Sequence, residues 1–163
     1  MDSSEIFSQL NKEVSKKNEI GMYSALTLAY IGDAVFEMCV RTKIIEQGNA
    51  PVNTLHKKSR SYVNAASQSK MYYELLKFLN EEETQIIKRG RNAKSFTKAK
   101  NASVSDYRHA TGVEALFGFL FISGKTDRIN ELFQVCMNTK IKWICTRQCL
   151  KTLIWRLQHK ISV

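Results

Sequence analysis

Residues 25–40 read Ala25-Leu26-Thr27-Leu28-Ala29-Tyr30-Ile31-Gly32-Asp33-Ala34-Val35-Phe36-Glu37-Met38-Cys39-Val40. Apolar character runs from about Tyr23 to Gln47 and goes almost all round a helical wheel. That pattern predicts a central helix surrounded by others, with Gly48 as its C-terminal stop. Inside it, Asp33 has Ala29, Tyr30, Phe36 and Glu37 three and four residues away, so no cation on its own element can pair with it. An unpaired carboxylate on a buried helix is costly. A metal ion, or a base from elsewhere in the fold, makes it tolerable, and Asp33 is therefore a candidate site residue.

A second run, from about Asp106 to Ile122 with Gly124 as its stop, poses the same problem. It contains Ala110-Thr111-Gly112-Val113-Glu114-Ala115-Leu116-Phe117-Gly118-Phe119-Leu120, and Glu114 has only Ala110, Thr111, Phe117 and Gly118 at helical spacing. Carboxylates brought together by neighbouring helices form a hard oxygen site suited to Mg²⁺, which keeps several waters and takes one or two protein carboxylates. Such an ion generates a hydroxide-like nucleophile and stabilises charge on a phosphoryl oxygen. Residue types alone equally allow each acid to pair with a buried arginine such as Arg41 or Arg108, and at this level both readings stand.

The rest of the chain also reads as helix. After the Asn49-Ala50-Pro51 turn, Leu55, Ser59, Tyr62, Val63, Ala66, Ser69, Tyr73 and Leu76 recur at the spacing of one helix of several turns. Its other face begins with His56, Lys57, Lys58 and Arg60. Asn80 followed by Glu81, Glu82 and Glu83 predicts a capped helix start with Glu83 at the capping-box position. That helix is expected to end at Lys88-Arg89, before Gly90. Gly90 to Asn101 has no apolar stripe and reads as a loop, rich in the arginine, lysine, asparagine and hydroxyl side chains that bond phosphates and sugars. A short helix from Ser4 to Val14, and a last core helix capped by Thr126-Asp127 and running to about Met137, complete an all-α domain. One proline and seven glycines in 163 residues leave strand punctuation sparse, and the length fits one domain.

The net charge is +10, but its distribution matters more than its sum. Residues 140–163 hold Lys140, Lys142, Arg147, Lys151, Arg156 and Lys160 and no acid, and Lys88, Arg89, Arg91, Lys94, Lys98 and Lys100 form a second block. These describe a local basic surface. Cys39, Cys136, Cys145 and Cys149 lack the paired spacing and histidine partners of a zinc site. Met1-Asp2-Ser3-Ser4-Glu5 lacks a secretory pattern, and no stretch reaches the ~20 apolar residues that span a bilayer. The expectation is a soluble, cytoplasmic protein in a reducing compartment. No nucleophile-elbow or Walker-type glycine motif is present. His56, His109 and His159 have no nucleophile partner, and His109 reads as a structural residue.

At this point the residues resemble a known family. Leu28-Ala29-Tyr30-Ile31-Gly32-Asp33-Ala34-Val35 is similar to the signature helix of ribonuclease III catalytic domains, and Glu114-Ala115-Leu116-Phe117-Gly118 to their second acidic helix. Further blocks resemble the Mini-ribonuclease III subfamily, which consists of the catalytic domain alone. They are Leu55-His56-Lys57, Tyr62-Val63-Asn64-Ala65-Ala66-Ser67-Gln68, Arg89-Gly90-Arg91-Asn92-Ala93-Lys94 and Tyr107 to Leu116, and the likeness covers about residues 20 to 137.

The resemblance implies an all-α helical bundle, a homodimer that cleaves double-stranded RNA with Mg²⁺ and leaves 5′-phosphate and 3′-hydroxyl ends with short 3′ overhangs. In that family the substrate is precursor 23S ribosomal RNA. Asp33 and Glu114 map onto the catalytic, metal-binding acids, one pair per subunit. Larger relatives have glutamates where this chain has Leu26 and Ala29, and an aspartate where it has Thr111, so the metal site is expected to be lean. For Glu37, one turn after Asp33, the expected role is a buried ion pair, with a contribution to the site as the alternative. No separate double-stranded-RNA-binding domain is seen, so His56, Lys57, Arg89, Arg91, Asn92, Lys94 and Lys98 are the candidate RNA contacts. The expected division is a segment 1–20, a catalytic domain 21–138 and a basic extension 139–163. The alternatives are a non-catalytic RNA-binding or ribosome-assembly factor on the same fold, and an all-α nucleotide hydrolase, which needs denser acidic clusters.

Overall fold

The structure, a computed structural model, describes residues 22–94 and 103–139. Among these, the regular elements are all helices: α1 (Ala25–Ile45), α2 (Val52–Val63), α3 (Ala65–Leu75), α4 (Glu81–Asn92), α5 (Val104–Ile122) and α6 (126–139). The expected helix 4–14, Lys98 and the extension from residue 140 lie outside the described residues.

The helix surrounded on all sides is α5, not α1. From His109 to Leu120, only Glu114 of α5 is not fully buried, and the helix packs on α1, α3 and α4. α1 buries Leu28, Ala29, Gly32, Val35, Phe36, Val40 and Ile44, but leaves Leu26, Tyr30, Ala34, Met38 and Ile45 open to solvent. The apolar character all round α1 therefore has two causes: one face is core, and the other is an unpartnered stripe.

Glycines set how closely α5 is approached. A Cβ on Gly32 would run into the backbone of Glu114 and Gly118, and one on Gly118 into the carbonyl of Leu28. On another side of α5, a Cβ at Gly90 would meet the Ala115 Cβ at 2.7 Å and the Gly112 Cα at 2.9 Å. That contact corrects the expected end of α4. Gly90 is a packing glycine inside the helix, which continues to Asn92. Gly48 and Gly124, with φ of 112° and 68°, do terminate α1 and α5 in the left-handed region. Phe36 sits edge-on to Phe117 and Phe133, with centroids 5.1 and 6.0 Å apart, and ties α6 to the other two helices.

The apolar stripe read as one helix from Leu55 to Leu76 is two helices broken at Asn64, whose ψ of 151° is extended. Side chains of the second helix complete the first. Asn64 Nδ2 donates to the Arg60 carbonyl at 2.8 Å, Ser67 Oγ to Ser61 at 2.9 Å and Gln68 Nε2 to Val63 at 3.1 Å. The last carbonyls of a helix have no partner on the helix itself, and here the next helix supplies them. Asn64 Oδ1 in turn caps α3 by accepting from the Ser67 N–H at 3.0 Å.

The capping box at Asn80 and Glu83 is formed as read, and Glu83 has a second role. Its buried carboxylate takes two bonds from Arg128, at 2.9 and 2.8 Å, locking the start of α6 onto α4. Thr126 and Asp127 lie within the first turn of α6 rather than ahead of it.

Candidate active site

Asp33 comes from the middle of α1 and Glu114 from the middle of α5, at the point where Gly32 lets the two backbones touch. The site is thus positioned by a close backbone-to-backbone contact of α1 with α5. The two acids differ in environment. Asp33 is on the exposed face of α1, where the sequence led to the expectation of a helix enclosed by others. Shelter by the protein, and then the nearby charge of Glu37, still raise its affinity for a proton. Glu114 is largely enclosed: burial, then the Asp33 charge, push its carboxyl up to about 7, against a lesser lowering by the Gln68 hydrogen bond.

Neither acid has an arginine partner among the described residues. Arg41 bonds Glu37 at 2.7 Å along α1, and Arg108 is exposed on α5. The Glu37 pair is on the surface rather than buried, and such pairs contribute little to stability. Of the two readings left open by residue type, the arginine pairing fails for both acids. What remains among the described residues is two carboxylates with no cation between them, the Asp33 charge raising the proton affinity of Glu114. That is an arrangement with a deficit of positive charge.

The residues fit a hard divalent cation. No group of three or more His, Cys, Asp or Glu gathers among the described residues, and the carboxylates that could hold such an ion are Asp33 and Glu114. Beside Glu114 lies the buried amide of Gln68, whose Oε1 has no hydrogen-bond partner. An all-oxygen set of this kind suits Mg²⁺ with a largely aqueous shell. The site is lean, as the missing acids at Leu26, Ala29 and Thr111 imply.

The described basic candidates lie on α2 and at the end of α4. His56 and Lys57 are exposed on α2. Arg91 and Asn92 occupy the last turn of α4 rather than a loop, and Lys94 follows it. Arg89 spends part of its capacity on structure, donating to the Tyr23 carbonyl at 3.0 Å. His109 is structural, as read: it is buried, bonded to Ser69 at 3.0 Å and Tyr73 at 3.4 Å, and stacked on Tyr72. Gln68 is the residue the sequence reading passed over. It stood inside the Tyr62 to Gln68 block, with nothing to show that it reaches an acid 46 positions away.

An all-helical domain with one acid on each of two interlocked apolar helices is the architecture of a ribonuclease III domain, and the sequence model described as Ribonuclease III domain matches residues 26–125. The chain is 50% identical over 109 residues to Mini-ribonuclease 3 of Brevibacillus brevis, covering 67% of this chain and 81% of the relative. It is 46% identical over 123 residues to Mini-ribonuclease 3 of Clostridium tetani, covering 75% and 82%. A crystal structure of a Fusobacterium nucleatum protein superposes with a TM-score of 0.69 at 31% identity, covering 75% of this chain and 99% of that one. The chain belongs to the ribonuclease III family, in its Mini-ribonuclease 3 group, and is an endoribonuclease. No helix among the described residues is long and apolar enough to cross a membrane.

Proposed function

We propose that this endoribonuclease cuts double-stranded RNA at Asp33 and Glu114 with Mg²⁺, leaving 5′-phosphate and 3′-hydroxyl ends, and that its substrate is precursor 23S ribosomal RNA in the cytoplasm. The observation that carries the metal reading is the pair of carboxylates without a cation, one of them pushed up to about 7. With its carboxyl pushed up to about 7, Glu114 is partly protonated near neutral pH, and a dication held by Asp33 and Glu114 would offset the charge of both. The metal, when bound, supplies the activated water and the counter-charge for the phosphoryl oxygens. Asp33, on the open face of α1, is the acid that solvent and substrate can reach, and Glu114 would hold the ion from the enclosed side.

Substrate binding is assigned to the exposed side chains of His56, Lys57, Arg91, Asn92 and Lys94, with Arg89 held closer to the fold. Double-stranded RNA is recognised by shape and by backbone contacts, which positive, hydrogen-bonding side chains provide. The homodimer reading is supported by the stripe Leu26, Tyr30, Ala34, Met38 and Ile45, whose Tyr30 is 83% exposed. An apolar row of this kind marks an interaction surface. A second copy covering it would place one acid pair on each side of the seam, one for each RNA strand. Met38→Glu is expected to yield monomers in sedimentation and to lose double-strand cleavage.

The central experiment incubates the protein with a perfectly paired RNA in Mg²⁺ or EDTA, beside Asp33→Asn. Cleavage that needs Mg²⁺ and disappears in a folded Asp33→Asn protein is expected. Undiminished cleavage in EDTA, or in Asp33→Asn, would refute the assignment.

A further inference from the structure

Gln68 is buried, with 1% of its surface exposed, and each end of its amide faces a different situation. Nε2 donates to the Val63 carbonyl at 3.1 Å and reaches Glu114 Oε1 at 3.4 Å. The Val63 carbonyl can only accept, so this orientation of the amide is fixed by chemistry. Oε1 is then left buried with no partner, the single such side-chain atom among the described residues. A buried acceptor without a partner destabilises the fold. An apolar side chain of the same shape would avoid that cost while still packing the start of α3. The position is also specified from two directions. The break at Asn64 frees the Val63 carbonyl that orients the amide, and the cap at Asn64 starts the helix that carries it.

Resting on the metal reading above, we propose that Gln68 is a third protein residue of the metal centre, its N–H positioning Glu114 and its Oε1 serving the bound ion or a water of the ion's shell. The unpaired oxygen is then unpaired only in the metal-free chain. The chain's lack of a third and fourth acid is made good in part by a neutral oxygen donor brought in on α3. Groups in this role typically change metal affinity by about 10–100-fold when removed. An amide adds no charge, so it leaves the two carboxylates to be neutralised by one dication.

The test is calorimetric titration of the full chain with MnCl₂ and with MgCl₂, together with thermal unfolding at each metal concentration. The parent protein is expected to bind, and Asp33→Asn with Glu114→Gln to abolish binding; a parent that binds neither metal overturns the metal reading and this inference together. Gln68→Leu is expected to stay folded and bind about 10–100-fold more weakly. Gln68→Glu keeps an oxygen donor but loses the N–H, so it is expected to melt lower without metal, to bind at least as tightly as the parent, and to gain more in Tm on adding metal. A parent that binds while folded Gln68→Leu binds equally well leaves the metal reading intact and overturns the role of Gln68. A Gln68→Glu protein that binds worse than the parent and whose Tm the metal does not restore likewise assigns Gln68 to structure alone, and it decides the matter should Gln68→Leu fail to fold.

Discussion

Replacing Glu114 by glutamine should make the metal-free protein more stable, and only at neutral pH and above. The Glu114 carboxyl, ordinarily near 4.5, is pushed up to about 7 in the folded chain. The folded state therefore holds this proton more tightly than the unfolded state does. Stability is greatest where the group is protonated and falls as pH rises from about 4.5 through about 7. Each pH unit of difference is worth about 1.4 kcal/mol, so the ionised carboxylate costs the fold about 3 kcal/mol at pH 8. Glutamine keeps the shape and the oxygen that accepts from Gln68, but carries no charge for Asp33 to repel. Glu114→Gln is thus expected to raise Tm in EDTA at pH 8 by about 6–12 °C, at about 2–4 °C per kcal/mol, and to leave it nearly unchanged at pH 5. Scanning calorimetry at fixed protein concentration, with and without MgCl₂, measures this. At a Mg²⁺ concentration one hundred times its Kd the parent gains about 2.7 kcal/mol and closes most of the gap, while the variant gains nothing and cuts no RNA. An arginine-paired Glu114 gives the opposite sign, a loss of about 3–5 kcal/mol on breaking the pair. Destabilisation at pH 8 in EDTA, or a gain of equal size at pH 5, would refute the reasoning.

Three other perturbations probe separate parts of the molecule. Gly118→Ala forces α1 and α5 apart at the Leu28 carbonyl and should cost at least about 1–3 kcal/mol in denaturant unfolding, with cleavage lost at temperatures where the protein is still folded. Glu83→Gln strips Arg128 of its bidentate partner and should cost about 3 kcal/mol. Burial works against ionisation of Glu83, but its bonds from Arg128 and Asn80 and the charges of Arg128 and Lys125 outweigh that and hold the carboxyl below 4.5. The contribution of this pair is therefore present above pH 4.5 and lost as pH falls through the lowered value, so the parent and Glu83→Gln should converge in acid. Replacing Arg91 and Lys94 by alanine should weaken RNA binding and flatten its dependence on log salt by about one for each phosphate that is no longer neutralised; an unchanged slope would remove the end of α4 from the RNA path.

The two long apolar helices, the capping box at Asn80 and both acids were legible because each is a local pattern, complete within a few residues. The arrangement of the core was less so. The run around Asp33 and the run around Glu114 are equally apolar, and nothing in either says that α5 is enclosed while α1 keeps a bare stripe. The break at Asn64 was hidden because Tyr62, Val63, Ala66 and Ser69 carry the stripe across it without proline or glycine, and its cause is three side-chain bonds to helix-end carbonyls. Gly90 misled in the other direction. A glycine after Lys88-Arg89 resembles a helix stop, yet it is there because Gly112 of α5 lies against it. Likewise Glu83 announced its cap but not Arg128, and the Gln68 block was recognisable without any hint of its contact with Glu114. What sequence withheld was, in each case, a partner far along the chain.

The contact between Gly32 and the α5 backbone acts as a ruler. Asp33 follows Gly32 directly, and the backbone that Gly32 lies against is that of Glu114 and Gly118, so the span between the two acids is fixed by main chain against main chain. Side chains in the core can exchange one shape for another without altering that span, provided these two positions stay bare. The span between the two acids is thereby insulated from drift in the hydrophobic interior, and the least conspicuous residues in both helices carry its tolerance.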